Sequence, residues 1–152
     1  MQVNLLAVQA FEQFNDVYQD WPTFVAKIGN MSALADAGEV IVAEVDGRIV
    51  GAVAYIGPGA PKAEFFRPEW AIMRMLVVAP AFRGQGIGSA LAHECLHRAK
   101  RDGASEFALH TSELMQVALP MYLRMGFKLQ SRAPAIHGVE YGVYVKALES
   151  HS

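Results

Sequence analysis

Met75-Leu76-Val77-Val78-Ala79-Pro80-Ala81-Phe82-Arg83-Gly84-Gln85-Gly86-Ile87-Gly88-Ser89 is the stretch on which the fold turns. An apolar run of strand character meets a proline stop, then a glycine-rich turn, then the start of a helical pattern. Glycines at positions 84, 86 and 88 remove the β-carbons that would hold a ligand away from the backbone. The amides of the turn and of the first helical residues have no intrahelical acceptor and point outward together. With the positive end of the helix dipole they make an anion site suited to a pyrophosphate. Two other phosphate loops do not fit. No Lys-Ser or Lys-Thr follows the last glycine, and the third glycine comes one residue too early for Gly-x-Gly-x-x-Gly. What remains is Arg-x-x-Gly-x-Gly, from Arg83 to Gly88.

Outward from this stretch the chain mixes helix and strand patterns. Phe11, Phe14, Tyr18, Trp21, Val25 and Ile28 recur at spacings of three and four, an amphipathic helix expected to bend near Trp21-Pro22. Such a stripe normally faces a core. Val40–Val45 and Ile49–Tyr55 flank Asp46-Gly47, a hairpin signal. A loop with Pro58, Gly59, Pro61 and Pro68 leads to a strand from Ile72 to Val78. A helix is expected from about Gly88 to Arg101, stopped by Gly103. Phe107–His110 reads as a strand, and Leu114–Met125 as a helix that Pro120 should kink and Gly126 should end. Phe127–Leu129 and Val139–Val145 read as closing strands.

The chain has 152 residues, enough for one domain with a substantial core, and residues 1–152 are read as that single domain. Thirteen Lys and Arg against fifteen Asp and Glu give a net charge of -2. That balance supplies no general attraction to nucleic acid or to a membrane surface, and no basic stripe is present. Cys95 is the single cysteine, so no internal disulfide forms, and a reducing, cytoplasmic setting is expected. The opening Met1-Gln2-Val3-Asn4 lacks the basic start of a signal peptide, and no apolar run is long enough to span a bilayer.

Two segments carry a family resemblance. Leu76-x-Val78-x-Pro80-x-x-Arg83-Gly84-x-Gly86-x-Gly88 resembles the central strand, pyrophosphate loop and helix start of the GNAT superfamily of acyl-CoA-dependent N-acetyltransferases. Tyr122-Leu123-Arg124-Met125-Gly126-Phe127 resembles the same family's Tyr-x-x-x-Gly-Phe signature. The resemblance spans roughly residues 40 to 130. It implies an α/β (α+β) fold with a mixed, mostly antiparallel central sheet flanked by helices. Family members usually open with a strand, whereas here a helical pattern begins almost at once, so the first strand is expected to be missing or vestigial. The sheet edge, and with it a homodimer, is left open.

The resemblance also implies the chemistry: transfer of an acetyl group from acetyl-CoA, the co-substrate, to an amine. Two strands, here Leu76–Val78 and Phe107–His110, are expected to splay so that the pantetheine arm bonds to their free backbone. Cofactor-binding residues on this reading are Leu76, Val77, Val78, Arg83, Gly84, Gln85, Gly86, Ile87, Gly88 and Ser89. Tyr122 is the candidate general acid, a phenol that stays protonated at neutral pH and can donate to the leaving thiolate. Where the family often has an asparagine, this chain has Met115; Thr111 or Ser112 could supply that polar contact or could cap the following helix. No general base is assigned: Glu64, Glu69 and His110 read as solvated or structural, and a water chain would serve. The loop from Pro61 to Trp70, with Phe65 and Phe66, either borders the acceptor pocket or packs. The N-terminal aromatics either pack as core, as such a stripe normally does, or wall that pocket at their bend, as the resemblance implies.

Two other readings compete. His93-Glu94-Cys95-Leu96-His97 matches the zinc-hydrolase motif His-Glu-x-x-His. At ~100° per residue, Ile87, Leu91, Ala92, Cys95, Leu96 and Ala99 share one face, which turns His93 and His97 toward solvent. A catalytic zinc pair should instead enter a cleft with a third ligand, so no metal site is assigned. A non-catalytic acyl-CoA-binding module would share the phosphate loop and lack turnover.

Overall fold

In the computed structural model, which describes residues 2–148, Asp46 and Gly47 take positive φ angles of 50° and 76°. This turn geometry matches the twist of two antiparallel strands, and it joins β1 (Glu39–Val45) to β2 (Arg48–Ile56). β2 pairs antiparallel with β3 (Ala71–Val78). The chain then crosses through a helix to β4 (Glu106–Thr111), parallel to β3. β5 (Lys128–Ile136) and β6 (Val139–Ala147) form a hairpin, and β6 lies against β4. The resulting six-stranded sheet has the order β1-β2-β3-β4-β6-β5 and is antiparallel except at β3/β4. The mixed, mostly antiparallel sheet expected from the resemblance is present.

Alternation along the strands feeds two cores. Val53, Tyr55, Met73, Phe107 and Leu109 point toward the crossover helix α3 (Ile87–Arg101) and meet its buried face of Leu91, Ala92, Cys95 and Ala99. Val50, Ala52 and Val77 point the other way, onto Val3, Leu6, Ala7 and Ala10 of the opening helix α1 (Gln2–Phe11). Burying each larger aliphatic side chain stabilises the fold by ~1.5–3 kcal/mol. Gly51 lets α3 approach: a Cβ there would lie 2.8 Å from Ile87 Cγ2 and 3.0 Å from Leu91 Cδ1. At the far end of α3, Arg98 bonds Glu94 at 2.8 Å and Glu39 of β1 at 2.5 Å. These pairs are half exposed and add little beyond orientation.

The N-terminal stripe is not one bent helix. α1 ends at Phe11, a short 3₁₀ turn covers Glu12–Phe14, and α2 (Trp21–Ile28) starts after Asp20, whose φ is 53°. Pro22 sits in the first turn of α2, where its missing amide costs nothing. The aromatics still share a core: Tyr18 stacks on Phe24 at 4.0 Å, and Phe11 meets Phe24 edge-on at 5.8 Å. Among the described residues no strand precedes β1, as the helical opening implies.

The helix expected over residues 114–125 is shorter, α4 (Ala118–Arg124). Ser112 explains the delay: its Oγ accepts from the Leu114 amide at 3.1 Å and its carbonyl from the Met115 amide at 2.9 Å. Those bonds close a separate turn, so neither Thr111 nor Ser112 caps α4, whose first turn begins after Val117. Pro120 is then the third helical residue and leaves α4 unkinked. β5 also runs seven residues beyond the expected Leu129, to Ile136.

Candidate active site

β3 and β4 are joined only at Ala71–Phe107 and Ile72–Ala108. β4 continues to Thr111 bonded to β6, while β3 follows β2 away from it. The cause is local: the β2–β3 register shifts between Ala52 and Ala54, and Met75 opposite that shift has φ 59°. A non-glycine residue there costs ~1–3 kcal/mol and bends the strand as a bulge does. The two strands part around a cleft of about 520 Å³. Met73, Arg74, Met75 and Leu76 form one wall; Leu109, His110 and Thr111 form the other. Phe11, Phe24, Ile28, Met31 and Leu34 close it on one side of the sheet, and Met115, Ala118 and Tyr122 on the other. The N-terminal helices thus wall the cleft through Phe11, Phe24 and Ile28, while Trp21 and Pro22 at the expected bend are not among its lining residues.

Beyond Val78 the chain enters the glycine loop. Gly84 and Gly86 have φ angles of 78° and 81°, and Gly86 is the residue from which α3 starts, with no side chain capping the helix. The first backbone bond of the helix runs from the Ala90 amide to the Gly86 carbonyl at 3.0 Å. Among the described residues, the amides of Gly84, Gln85, Gly86, Ile87, Gly88 and Ser89 have no acceptor. A Cβ on Gly84 or Gly86 would meet nothing within 4 Å, so the space before these amides is open. The backbone conformation, not crowding, is what requires glycine at these two positions. Such an array of amides at a helix N-terminus can hold a phosphate-like anion.

The other residues named from the sequence divide by what their side chains touch. Arg83 does not reach into the loop; its guanidinium donates to the Ala10 carbonyl at 3.1 Å. Ile87 packs into the core against Gly51, and Val77 is buried beneath α1. Val78 approaches Gly88, where a Cβ would sit 3.7 Å from its Cγ2. Leu76 lines the cleft and Gln85 is exposed. Tyr122 is buried on the α4 side of the cleft, edge-on to Phe127 at 5.9 Å. Burial, with Cys95 close by, pushes its phenol well above the usual tyrosine range. Cys95 itself is buried, its thiol pushed up to about 12 by the same desolvation, which makes it a core residue and no nucleophile.

The motif His93-Glu94-x-x-His97 lies on the outer side of α3, with both histidines exposed. His93 Nδ1 is 2.8 Å from the Ser89 carbonyl, and Glu94 is engaged by Arg98. No group of three metal-ligating side chains comes together among the described residues.

The acetyltransferase (GNAT) family model matches residues 6–127. The chain belongs to this family. Among relatives, N-acetyltransferase 8F1 of Rattus norvegicus is 37% identical over 91 residues, covering 60% of this chain and 40% of that protein. Probable N-acetyltransferase family 8 member 5 of Mus musculus is 34% identical over 126 residues, 83% of this chain and 53% of that one. The GNAT chain therefore spans about half, or less, of the length of these curated relatives. Solved structures agree on the fold. The PaiA N-acetyltransferase from Thermoplasma acidophilum, in complex with coenzyme A, superposes with TM-score 0.75 at 16% identity, over 97% of this chain and 91% of that one. A GNAT family acetyltransferase from Brucella melitensis, in complex with acetyl-CoA, gives 0.64 at 23% identity, over 99% and 82%.

In this GNAT domain the far end of the cleft holds two polar groups that pattern reading underrates. His110 faces the cleft with Nδ1 buried and unpartnered. Phe65 and Phe66 pack on its ring at 5.2 and 5.6 Å, so the Pro61–Trp70 loop supports the cleft wall from behind and does not line it. Burial, and then Arg74, lowers the imidazole from its ordinary value to about 4. Arg74 is the second such group, its Nε buried without a partner. Glu64 and Glu69 are exposed and lie outside the cleft lining. Arg74 had no sequence signal beyond a charge inside an apolar strand.

Proposed function

We propose that this chain moves an acetyl group from acetyl-CoA to a primary amine by direct attack, within one domain spanning residues 1–152. One observation carries the reading: the unpaired edge of β3, from Met73 to Val78, leads directly into the run of unpaired amides from Gly84 to Ser89. An extended arm ending in a pyrophosphate needs those two features in that order. The β3 edge would take the pantetheine arm as an added strand takes its neighbour. The amides of Gly84–Ser89, at the positive end of α3, would take the pyrophosphate. Arg83 serves by holding the loop against α1.

The cleft between the strands is the place for the thioester and the amine. The neutral amine nitrogen adds to the thioester carbonyl carbon; the tetrahedral adduct gives one nitrogen proton to water, the carbon–sulfur bond breaks, and the departing sulfur takes a proton to leave as the CoA thiol. Tyr122 is the donor on this reading. Its burial keeps the phenol protonated at every physiological pH, and the same burial makes its anion costly, so it would recover the proton promptly. The family relationship supports acetyl transfer, and the acceptor's identity is left to experiment. A CoA-release screen across small metabolite amines, amine antibiotics, peptide N-termini and protein lysines tests the reading. Release with at least one class is expected. Tight acetyl-CoA binding with no release from any class would leave a binding module in place of an enzyme.

A further inference from the structure

Arg74 is a charged group in an apolar strand, pointed into the cleft between Met73 and Met75. Among the described residues it makes no ion pair, and its Nε is buried with no hydrogen-bond partner. A guanidinium stays protonated in proteins, and buried charges are ordinarily paired. No aspartate or glutamate lines the cleft to supply the missing anion. Lys27 also lines the cleft, but its Nζ lies in an exposed contact 3.0 Å from His137 Nε2. His110 lies beside Arg74 on the facing strand, wrapped by Phe65, Phe66 and Tyr141, and is neutral at pH 7. The cleft therefore presents an uncompensated positive charge in an otherwise apolar pocket walled by Phe24, Ile28 and Met31.

Resting on the acetyl-transfer reading, we propose that the acceptor is an amine that also carries a carboxylate, and that Arg74 binds that carboxylate. A single guanidinium matches a planar, singly charged carboxylate with two parallel hydrogen bonds. A phosphate dianion would leave excess negative charge in a wall of aromatic and aliphatic side chains. The same wall favours a carboxylate-bearing amine with an apolar body, such as a hydrophobic amino acid. Arg74 is a specificity residue on this account. It holds the acceptor and takes no part in the proton transfers.

L-phenylalanine and its decarboxylated counterpart, phenethylamine, are the probe pair, with 3-phenylpropanoate as a carboxylate that cannot be acetylated. Acetyl transfer is measured for wild type, Arg74→Met and Arg74→Lys, each checked for folding by melting temperature. The effect of substitution is compared between the two amines, which cancels their different basicities. Arg74→Met is expected to lower kcat/KM for L-phenylalanine about tenfold or more, through KM, and to change phenethylamine little. Arg74→Lys should recover part of the loss. 3-Phenylpropanoate, followed by calorimetry, should bind wild type and fail to bind Arg74→Met. Equal effects on both amines, or 3-phenylpropanoate binding that ignores position 74, would overturn the proposal and leave acetyl transfer standing. Binding of 3-phenylpropanoate through Arg74 with no turnover of either amine would do the reverse, keeping the carboxylate site and sinking the enzyme. Neither binding nor turnover would overturn both.

Discussion

The Arg83 guanidinium donates to the Ala10 carbonyl at 3.1 Å, joining the start of the glycine loop to the last turn of α1 across 73 residues of sequence. A carbonyl in the last turn of the helix, which also accepts from Gln13 Nε2 at 3.2 Å, thereby becomes an anchor for the loop. Arg83→Met keeps an unbranched apolar stem and removes the donor. Loss of ~1–2 kcal/mol in urea unfolding is expected, with weaker acetyl-CoA binding because the loop is less firmly held. Unfolding and affinity both at wild-type values would show the anchor to be idle.

Acetyl-CoA should raise the melting temperature if it binds at Gly84–Ser89. A hundredfold excess over the dissociation constant stabilises by ~2.7 kcal/mol. Gly86→Ala carries two separable costs. The left-handed backbone, φ 81°, makes the variant less stable by ~1–2 kcal/mol without ligand, and the new methyl projects into the open space before the amides. The loss of acetyl-CoA affinity in the folded variant, measured by calorimetry, is the decisive quantity. Unchanged affinity would place the pyrophosphate elsewhere.

Tyr122→Phe retains the ring that packs on Phe127 and removes the hydroxyl. Turnover is expected to fall by ~10²–10⁴-fold if thiolate departure limits the rate, with acetyl-CoA affinity nearly unchanged. Wild-type turnover and pH profile would reduce Tyr122 to a packing residue and give the proton to water.

Acid should loosen the end of α3. Asp102 accepts from Arg101 Nε at 2.9 Å and from the Tyr55 hydroxyl at 2.7 Å, and these bonds hold its carboxyl below the ordinary aspartate range. A carboxyl depressed in the folded state stabilises fully above its unfolded pKa of ~3.9 and loses that contribution as pH falls through the lower, folded value. Asp102→Asn should therefore be less stable than wild type at pH 7, and the gap should narrow below about pH 4. A gap that is constant from pH 7 to pH 2.5 would contradict this assignment.

His93→Ala combined with His97→Ala should leave acetyl transfer within about twofold of wild type, because both side chains are exposed on the outer face of α3. Chelator-washed protein analysed for zinc provides the companion measurement. A retained equivalent of zinc that disappears in the double variant would restore the hydrolase motif to consideration.

The parts legible in the sequence were those written in short-range chemistry. Asp46-Gly47 names its own turn, and Pro80 followed by three alternate glycines announces a strand, a loop and a helix start. The apolar face of α3 could be counted at helical spacing, which also turned the histidine motif outward. The less legible parts depend on partners distant in sequence. Ser112 delays α4 through two bonds that compete with helix formation. β5 from Gln130 onward lies at the sheet edge with only Ala133 and Ile136 partly buried, so it carries no alternating pattern. The bend at Met75 leaves no mark in composition. Without that bend, Arg74 and His110 read as a charge in a strand and a strand end; with it, they share a cavity.

Both rims of the sheet are blunted. β1 carries Glu39 and Glu44 and a register shift at Ala43/Glu44, and β5 carries Pro134, which has no amide to offer a neighbour. Two copies of this chain meeting edge to edge would find charge on one side and a gap in the ladder on the other. The sheet is therefore protected against templated fibre growth. Side chains on the faces of the molecule carry no such obstacle to contact between copies.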